Sequence, residues 1–285
     1  MSDLRTAVRE ATARLAAAGI PSPESDAVAL AAHALGVEPS DVRRSMLLGG
    51  PEPQGYAGLV AERAARVPLQ HLTGVAHFRR IALAVGPGVF VPRPETEVTA
   101  GLAIAAALRA GPDPLVVDLC TGSGAIALAV KDEVPQARVL AVEVSDLAHG
   151  WAVANRDRLG LDVEVRLGDA TQAFEDLEGA VDVVVSNPPY IPVGAVPVDP
   201  EVRDHDPEVA LYGGSADGLA IPVAVAARAA WLLRPGGVLV MEHADSQGAS
   251  LPSRLRATGS WTDVIDHPDL TGRPRSTVAV RGALR

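Results

Sequence analysis

Aromatic residues, cysteine and lysine are scarce in this chain. Aromatics make up 3% of its 285 residues, against 48% for hydrophobic residues as a whole. A sizeable core is available, but it must be built from Ala, Val and Leu. Cys120 is the only cysteine, which excludes an internal disulfide framework and a thiolate zinc site. Lys131 is the only lysine, so the basic side chains are otherwise Arg. An excess of basic charge is also missing, since the net charge is −10. Residues 1–75 carry 7 basic and 8 acidic side chains, and residues 76–285 carry 18 and 27, so the acidity lies in the C-terminal part. A duplex-DNA binder needs a basic face, because phosphate contacts dominate its affinity. Direct nucleic-acid binding is therefore not expected. Charge breaks the Ala-rich stretches before any reaches the ~18 residues of a spanning helix. Met1-Ser2-Asp3-Leu4-Arg5 lacks the apolar segment of a leader. A soluble cytoplasmic monomer, with no membrane partner and no metal, is expected.

The hydrophobic spacing changes twice along the chain. Val8, Ala11, Leu15 and Ala18 recur at helical intervals between Thr6 and Gly19, and Gly19-Ile20-Pro21 stops that helix. Further helices are expected from Ser22 to Gly36, from Pro39, and from Tyr56 to Arg66. His33 and His71 read as packing or surface residues within this bundle. Residues 73–92 carry Gly74, Gly86, Pro87 and Gly88 between short β-type runs, and predict a hairpin of Phe78–Val85 with Val89–Val91. A helix from Val98 to Leu108 follows. From Pro114 onward, strands alternate with helices. The strands are 115–119, 138–144, 163–167, 181–186 and 237–242, with an antiparallel pair at 262–266 and 276–281. This alternation predicts an α/β fold with a doubly wound, mostly parallel sheet. The domains are expected at 1–72 (helical), 73–92 (hairpin linker) and 93–285 (α/β). In such sheets ligands bind at the carboxyl ends of the strands.

Four consecutive strand ends carry unusual residues. The first strand runs into Asp118-Leu119-Cys120-Thr121-Gly122-Ser123-Gly124. Its glycines permit a tight turn, and the helix start behind them offers unpaired N–H groups to an anion. A plain βα turn would look the same. Glu143 ends the next strand, at the distance from the glycine loop where an acid accepts from ribose hydroxyls. Together these features indicate an adenosine-containing cofactor. Gly168-Asp169-Ala170 follows the third strand, where Asp169 either faces an adenine amine or caps a turn. The fourth strand ends in Asn187-Pro188-Pro189-Tyr190. Two prolines make a stiff turn that no sheet continues, and so free carbonyl oxygens for a ligand. Asn adds a side-chain acceptor and Tyr an aromatic face. Such a turn suits holding a planar NH2 group before a methyl donor. The convergence on one rim predicts a methyltransferase. Pro92-Arg93-Pro94-Glu95-Thr96-Glu97 reads either as a first helical turn or as part of this site.

The chain resembles the bacterial glutamine methyltransferases that modify peptide-chain release factors, the HemK or PrmC family. The resemblance is carried, in order, by 68–74 (PLQHLTG), 92–97 (PRPETE), 118–127, 186–191 (SNPPYI), and 208–214 (EVALYGG) with 217–219 (DGL). It extends from about residue 20 to the C-terminus. It implies a Rossmann-like class I methyltransferase domain with a seven-stranded sheet. The implied donor is S-adenosylmethionine, and the implied acceptor is the glutamine of the Gly-Gly-Gln motif of class 1 release factors. The helical domain is implied to recognise the protein partner. The implied catalytic residues are Asn187, Pro188 and Tyr190, and Pro189, Arg93 and Glu95 join them in substrate binding. Cofactor binding falls to Cys120, Thr121, Gly122, Ser123, Gly124, Glu143, Asp169, Ala170 and Asn187. Cys120 stands where glycine is common, Glu143 replaces an Asp, Ala170 lies where an aromatic is common, and Glu242-His243-Ala244 replaces Glu-Ile-Gly. A ribosomal-protein glutamine methyltransferase, an adenine-N6 DNA methyltransferase and an inactive binding module are the alternatives.

Overall fold

A computed structural model describes residues 3–283. Met1, Ser2, Leu284 and Arg285, which the expected domains include, lie outside the described residues. In chain order the elements are α1 (Leu4–Ala17), α2 (Pro23–Leu35), α3 (Pro39–Leu48), α4 (Tyr56–Ala64), α5 (Leu69–Thr73), β1 (Val75–Phe78), β2 (Ile81–Ala84) and α6 (Thr96–Ala110). Then come β3 (Leu115–Leu119), α7 (Ala125–Glu133), β4 (Arg138–Glu143), α8 (Asp146–Leu159), β5 (Val163–Leu167) and β6 (Val181–Ser186). The chain finishes with α9 (Pro200–His205), α10 (Ala220–Leu232), β7 (Leu233–Glu242), α11 (Ser250–Ala257), β8 (Trp261–Pro268) and β9 (Pro274–Arg281). Two compact units form. One comprises Met1–Val75, Val85–Pro87 and Pro197–His205, and the other comprises Ala76–Ala84, Gly88–Val196 and Asp206–Arg285.

The helical unit is held by the stripes its sequence spells out. Leu4, Ala7, Val8, Ala11 and Leu15 of α1 pack with Ala27, Val28, Leu30 and Ala31 of α2. Asp3 caps α1 by accepting from the Thr6 N–H at 2.8 Å. Gly36 closes α2 at φ 66°, a left-handed conformation that favours glycine. The sequence reading missed α9, which joins this unit through charge. Buried Arg63 of α4 bonds Asp26 of α2 at 2.8 Å and Glu201 of α9 at 2.8 Å. A buried guanidinium is tolerated because both carboxylates meet it directly.

The larger unit is built on a seven-stranded sheet in the order β5-β4-β3-β6-β7-β9-β8. The first five strands in that order run parallel, and β9 and β8 are antiparallel additions. β3, β4 and β6 are nearly continuous apolar runs, because helices cover both faces. The register aligns their ends. Leu119 pairs with Val142 on one side and with Ser186 on the other, and Ser186 pairs with Met241. The glycine loop, Glu143, Asp169, the Asn-Pro-Pro-Tyr turn and Glu242 therefore leave the sheet from one rim. β3 and β6 are neighbours at the point where the winding reverses, which is where open α/β sheets bind ligands.

The hairpin differs from expectation. It pairs Val75–Phe78 with Ile81–Ala84 and turns at Arg79, whose φ is 51°. Val85, Val89 and Val91 are buried but belong to no strand. Their apolar character reflects packing, which alternation alone does not distinguish from strand pairing. The strand expected from Gly237 begins at Leu233, and α11 had not been anticipated.

Candidate active site

The glycine loop is pinned from beneath by an acid in the middle of an apolar strand. Asp118 of β3 is fully buried. Its Oδ2 accepts from Thr121 Oγ1 at 2.6 Å and from the Ala127 N–H at 3.1 Å, so one oxygen ties the loop to the first turn of α7. Oδ1 has no hydrogen-bond partner among the described residues. Burial pushes the carboxyl up to about 7 despite the Thr121 and Ala127 donors. The Thr121 hydroxyl proton is thereby committed, and so is its backbone N–H, which donates to the Val142 carbonyl at 3.0 Å. Cys120, Gly122 and Gly124 all have positive φ, of 68°, 58° and 85°. Two are glycines, for which this is unstrained; Cys120 is not. A Cβ on Gly124 would press on Leu128, whereas one on Gly122 would meet nothing within 4 Å. Gly124 is therefore a packing glycine, and Gly122 faces open space on the rim. Burial, and then the nearby carboxylates, push the Cys120 thiol up. The thiol is thus held uncharged and poorly nucleophilic.

Glu143 is buried at the end of β4. Its Oε2 accepts from the Gly122 N–H at 2.8 Å, and its Oε1 from the Val144 and Ser145 N–H groups at 3.0 and 2.9 Å. Three backbone donors hold the carboxylate in one orientation, and lone pairs remain for a diol. Behind the loop lies Asn155 of α8, fully buried. It accepts from Ala84 N and donates to Ala84 O and Ser123 O, at 2.6, 2.9 and 3.0 Å. It joins the end of β2 to the glycine loop. Asp169 is exposed, and its Oδ1 accepts from Thr171 N and Oγ1 at 2.8 and 2.7 Å, the turn-capping pattern. Ala170 is buried in the core beside it.

The Asn-Pro-Pro-Tyr turn is fixed from three directions. Asn187 Nδ2 donates to Thr96 Oγ1 at 3.3 Å. Tyr190 Oη donates to Glu242 Oε1 at 3.3 Å. The Tyr190 carbonyl accepts from Gln247 Nε2 at 2.9 Å, and the same nitrogen donates to Asp217 O at 2.9 Å. Pro188 and Pro189 are buried. Ile191 then pairs with Tyr212, and Gly213 and Gly218 pack so closely that a Cβ on Gly218 would overlap the Tyr190 carbonyl oxygen. That close approach accounts for the glycines of the 208–219 segment.

Of the residues singled out in 92–97, Arg93 donates to buried Asp206 at 2.7 Å and lies over the Phe90 ring at 5.1 Å. Glu95 is half-buried and makes no side-chain hydrogen bond among the described residues. Thr96, not singled out beforehand, meets Asn187 and also donates to Glu242 Oε1 at 3.2 Å. Sequence reasoning missed Asp118, Thr96, Asn155, Glu242 and Gln247 as site residues. Glu242 did carry a signal, since it ends the apolar strand β7 as Glu143 ends β4. Burial pushes its carboxyl up to about 7, against the Thr96 and Thr99 hydroxyls, Arg275 and Tyr190. No cluster of His, Cys, Asp and Glu able to hold a metal occurs among the described residues, and no helix among them is long and apolar enough to cross a membrane.

A family model for the PrmC N-terminal domain matches residues 6–74, and one for the Methyltransferase small domain matches residues 82–197. The chain is 52% identical to a release factor glutamine methyltransferase of Streptomyces coelicolor, over 98% of each chain. It is 44% identical to a 4-amino-L-phenylalanine/4-methylamino-L-phenylalanine methyltransferase of Streptomyces pristinaespiralis, over 93% of this chain and 91% of that one. The solved structure of a methyltransferase from Pyrococcus furiosus matches with a TM-score of 0.51 at 19% identity, covering 80% of this chain and 98% of that one, a likeness of fold. With relatives of this similarity over nearly the full length, and with the family model over its N-terminal part, the chain belongs to the release factor glutamine methyltransferase family.

Proposed function

We propose that this protein moves the methyl group of S-adenosylmethionine to the side-chain amide nitrogen, N5, of the glutamine in the Gly-Gly-Gln motif of class 1 release factors. It acts in the cytoplasm, as a monomer, without a metal. The observation that carries the reading is Asn187. Its amide nitrogen is held on Thr96, and its Oδ1 accepts no hydrogen bond among the described residues. The Pro188 carbonyl beside it accepts none either. Two adjacent uncommitted acceptors suit an NH2 group.

The residues present fit the donor. Gly122 opens to the rim, and the Glu143 carboxylate, set by three N–H donors, is matched to ribose hydroxyls. The backbone of Cys120 to Gly124 would face its amino-acid portion, and Asp169 and Ala170 its adenine. S-adenosylmethionine, when bound, supplies an electrophilic methyl group. Asn187 Oδ1 and the Pro188 carbonyl accept the two N–H bonds of the glutamine amide. That amide is planar, with its lone pair shared with the carbonyl. Two fixed acceptors aim the nitrogen and favour its pyramidal form. Pro189 and Tyr190 pack against the flat group. Both hydrogen bonds strengthen as the nitrogen becomes cationic, so they act chiefly at the transition state. The proton leaves afterwards to water. The helical unit recognises the protein that carries the glutamine, with Arg93 and Glu95 as further substrate contacts.

The test is a panel of acceptors. Protein and labelled donor are incubated separately with a purified class 1 release factor, ribosomal proteins, DNA and 4-amino-L-phenylalanine. Label in the release factor at least a hundredfold faster than in the other arms is expected. Preferential label in ribosomal protein, DNA or the aryl amine overturns the proposal.

A further inference from the structure

Glu242 is fully buried, ends β7 on the rim, and receives three hydroxyl donors. Thr96 and Tyr190 donate to Oε1 at 3.2 and 3.3 Å, and Thr99 donates to Oε2 at 3.0 Å. The Thr99 oxygen also lies 2.8 Å from Ser276 Oγ. The charged or titratable groups facing the carboxylate are Tyr190 itself and Arg275 of β9. An acid with so many donors, one residue removed from Asn187 through Thr96, requires an account.

We infer that the Glu242 carboxylate is a positioning group that sets which end of the Asn187 amide faces the methyl acceptor. The reasoning is one of hydrogen-bond polarity. An ionised carboxylate only accepts. Thr96 has a single hydroxyl proton, and the carboxylate takes it. The Thr96 oxygen then presents only lone pairs to Asn187, which must turn its Nδ2 toward Thr96, as it does at 3.3 Å. Asn187 Oδ1 is left on the opposite side, where the acceptor's N–H bonds are. A proton on Glu242 Oε1 reverses the chain. Glu242 then donates to Thr96, Thr96 donates to Asn187, and the side-chain NH2 of Asn187 faces the substrate NH2. Two donors cannot hold each other, and methyl transfer stops. The same carboxylate fixes the Tyr190 hydroxyl, so both ends of the Asn-Pro-Pro-Tyr turn answer to one group.

This inference rests on the proposed role of Asn187 and is tested so that the two can fail separately. Glu242→Gln supplies an amide that can donate to Thr96, as protonated Glu242 would. Release-factor methylation and S-adenosylmethionine binding are measured from pH 6 to 8.5. In the wild type, kcat is expected to rise through about pH 7 as Glu242 loses its proton. The Gln variant is expected to lose at least tenfold in kcat at pH 8 and that rise with pH, while KM for the release factor and Kd for the donor stay within twofold. Thr96→Ser, which keeps the hydroxyl, retains activity; Thr96→Val, which keeps the shape, loses it. A Gln variant with wild-type kcat and pH profile overturns the inference if Asn187→Ala is inactive. If Asn187→Ala is active, the reading of the acceptor site fails first, and the inference with it. If the Gln variant does not fold, the Thr96 pair decides, and equal kcat for Val and Ser overturns it.

Discussion

Asn155 offers the sharpest test of how the glycine loop is held in place. It is fully buried on α8, and three of its hydrogen bonds go to backbone groups, Ala84 N, Ala84 O and Ser123 O, while its Oδ1 also accepts from Arg158 Nη2 at 3.4 Å. Asn155→Ala removes every one and leaves the Ser123 carbonyl buried and the two Ala84 groups half-buried without these partners. A buried backbone group left without a partner costs about 1–3 kcal/mol. Partial relief by relaxation puts the total at about 3–4 kcal/mol, a large share of the ~5–15 kcal/mol of a typical domain. Asn155→Asp keeps the shape and the acceptor for Ala84 N. It replaces the donor with an oxygen that must face two carbonyls from inside the core, so it should be at least as damaging as Ala. Urea unfolding followed by tryptophan fluorescence is the appropriate assay, because Trp151, Trp231 and Trp261 all lie in the larger unit. The donor's Kd should weaken in parallel, since Ser123 belongs to the glycine loop. An Asn155→Ala protein within 1 kcal/mol of wild type with unchanged affinity for the donor would refute the reasoning.

Three other substitutions probe separate parts of the site. Cys120→Gly relieves a left-handed conformation, at φ 68°, that disfavours a side chain by about 1 kcal/mol. Thermal unfolding should show a small gain in stability with donor binding retained, and a loss would contradict the strain assignment. Gly218→Ala drives a methyl into the Tyr190 carbonyl. Turnover should fall at least tenfold while calorimetry shows donor affinity unchanged. Asp118 has its carboxyl raised from 3.8 to about 7, so the native state holds a proton that the unfolded chain has lost. The resulting stability is present below about pH 4 and is lost as pH rises through 7. Asp118→Asn should therefore shrink the fall in unfolding free energy between pH 5 and pH 8 by about 2 kcal/mol, measured by urea titration at both values.

The parts of this molecule legible in its sequence are those written in local chemistry. β3, β4 and β6 are short apolar runs between helices, and a buried parallel strand has no other pattern. Glu143 and Asn187 stand at the ends of such runs, where the register delivers them to one rim. What escaped notice depends on partners distant in sequence. α9 reads as six unremarkable residues until Glu201 meets Arg63, 138 positions away. Thr96 looks like the first residue of a helix, which it is, and its bond to Asn187 spans 91 positions. Asn155 hides in a helix whose periodicity concerns its apolar face. The hairpin was misplaced because Val89 and Val91 are buried by packing instead of by strand pairing. Asp118 could have been noticed, since a lone acid inside an apolar strand must find donors or stay protonated.

The central claim is that Asn187 presents an acceptor to the side-chain amide of a release-factor glutamine. It is tested most directly by fragmentation mass spectrometry of a release factor after incubation with donor and either wild-type protein or Asn187→Ala. The account predicts a single methyl on N5 of the Gly-Gly-Gln glutamine with wild type, and a loss of about a hundredfold or more with the variant, whose donor affinity is preserved. A methyl on any other residue, or turnover by Asn187→Ala close to wild type, would contradict it.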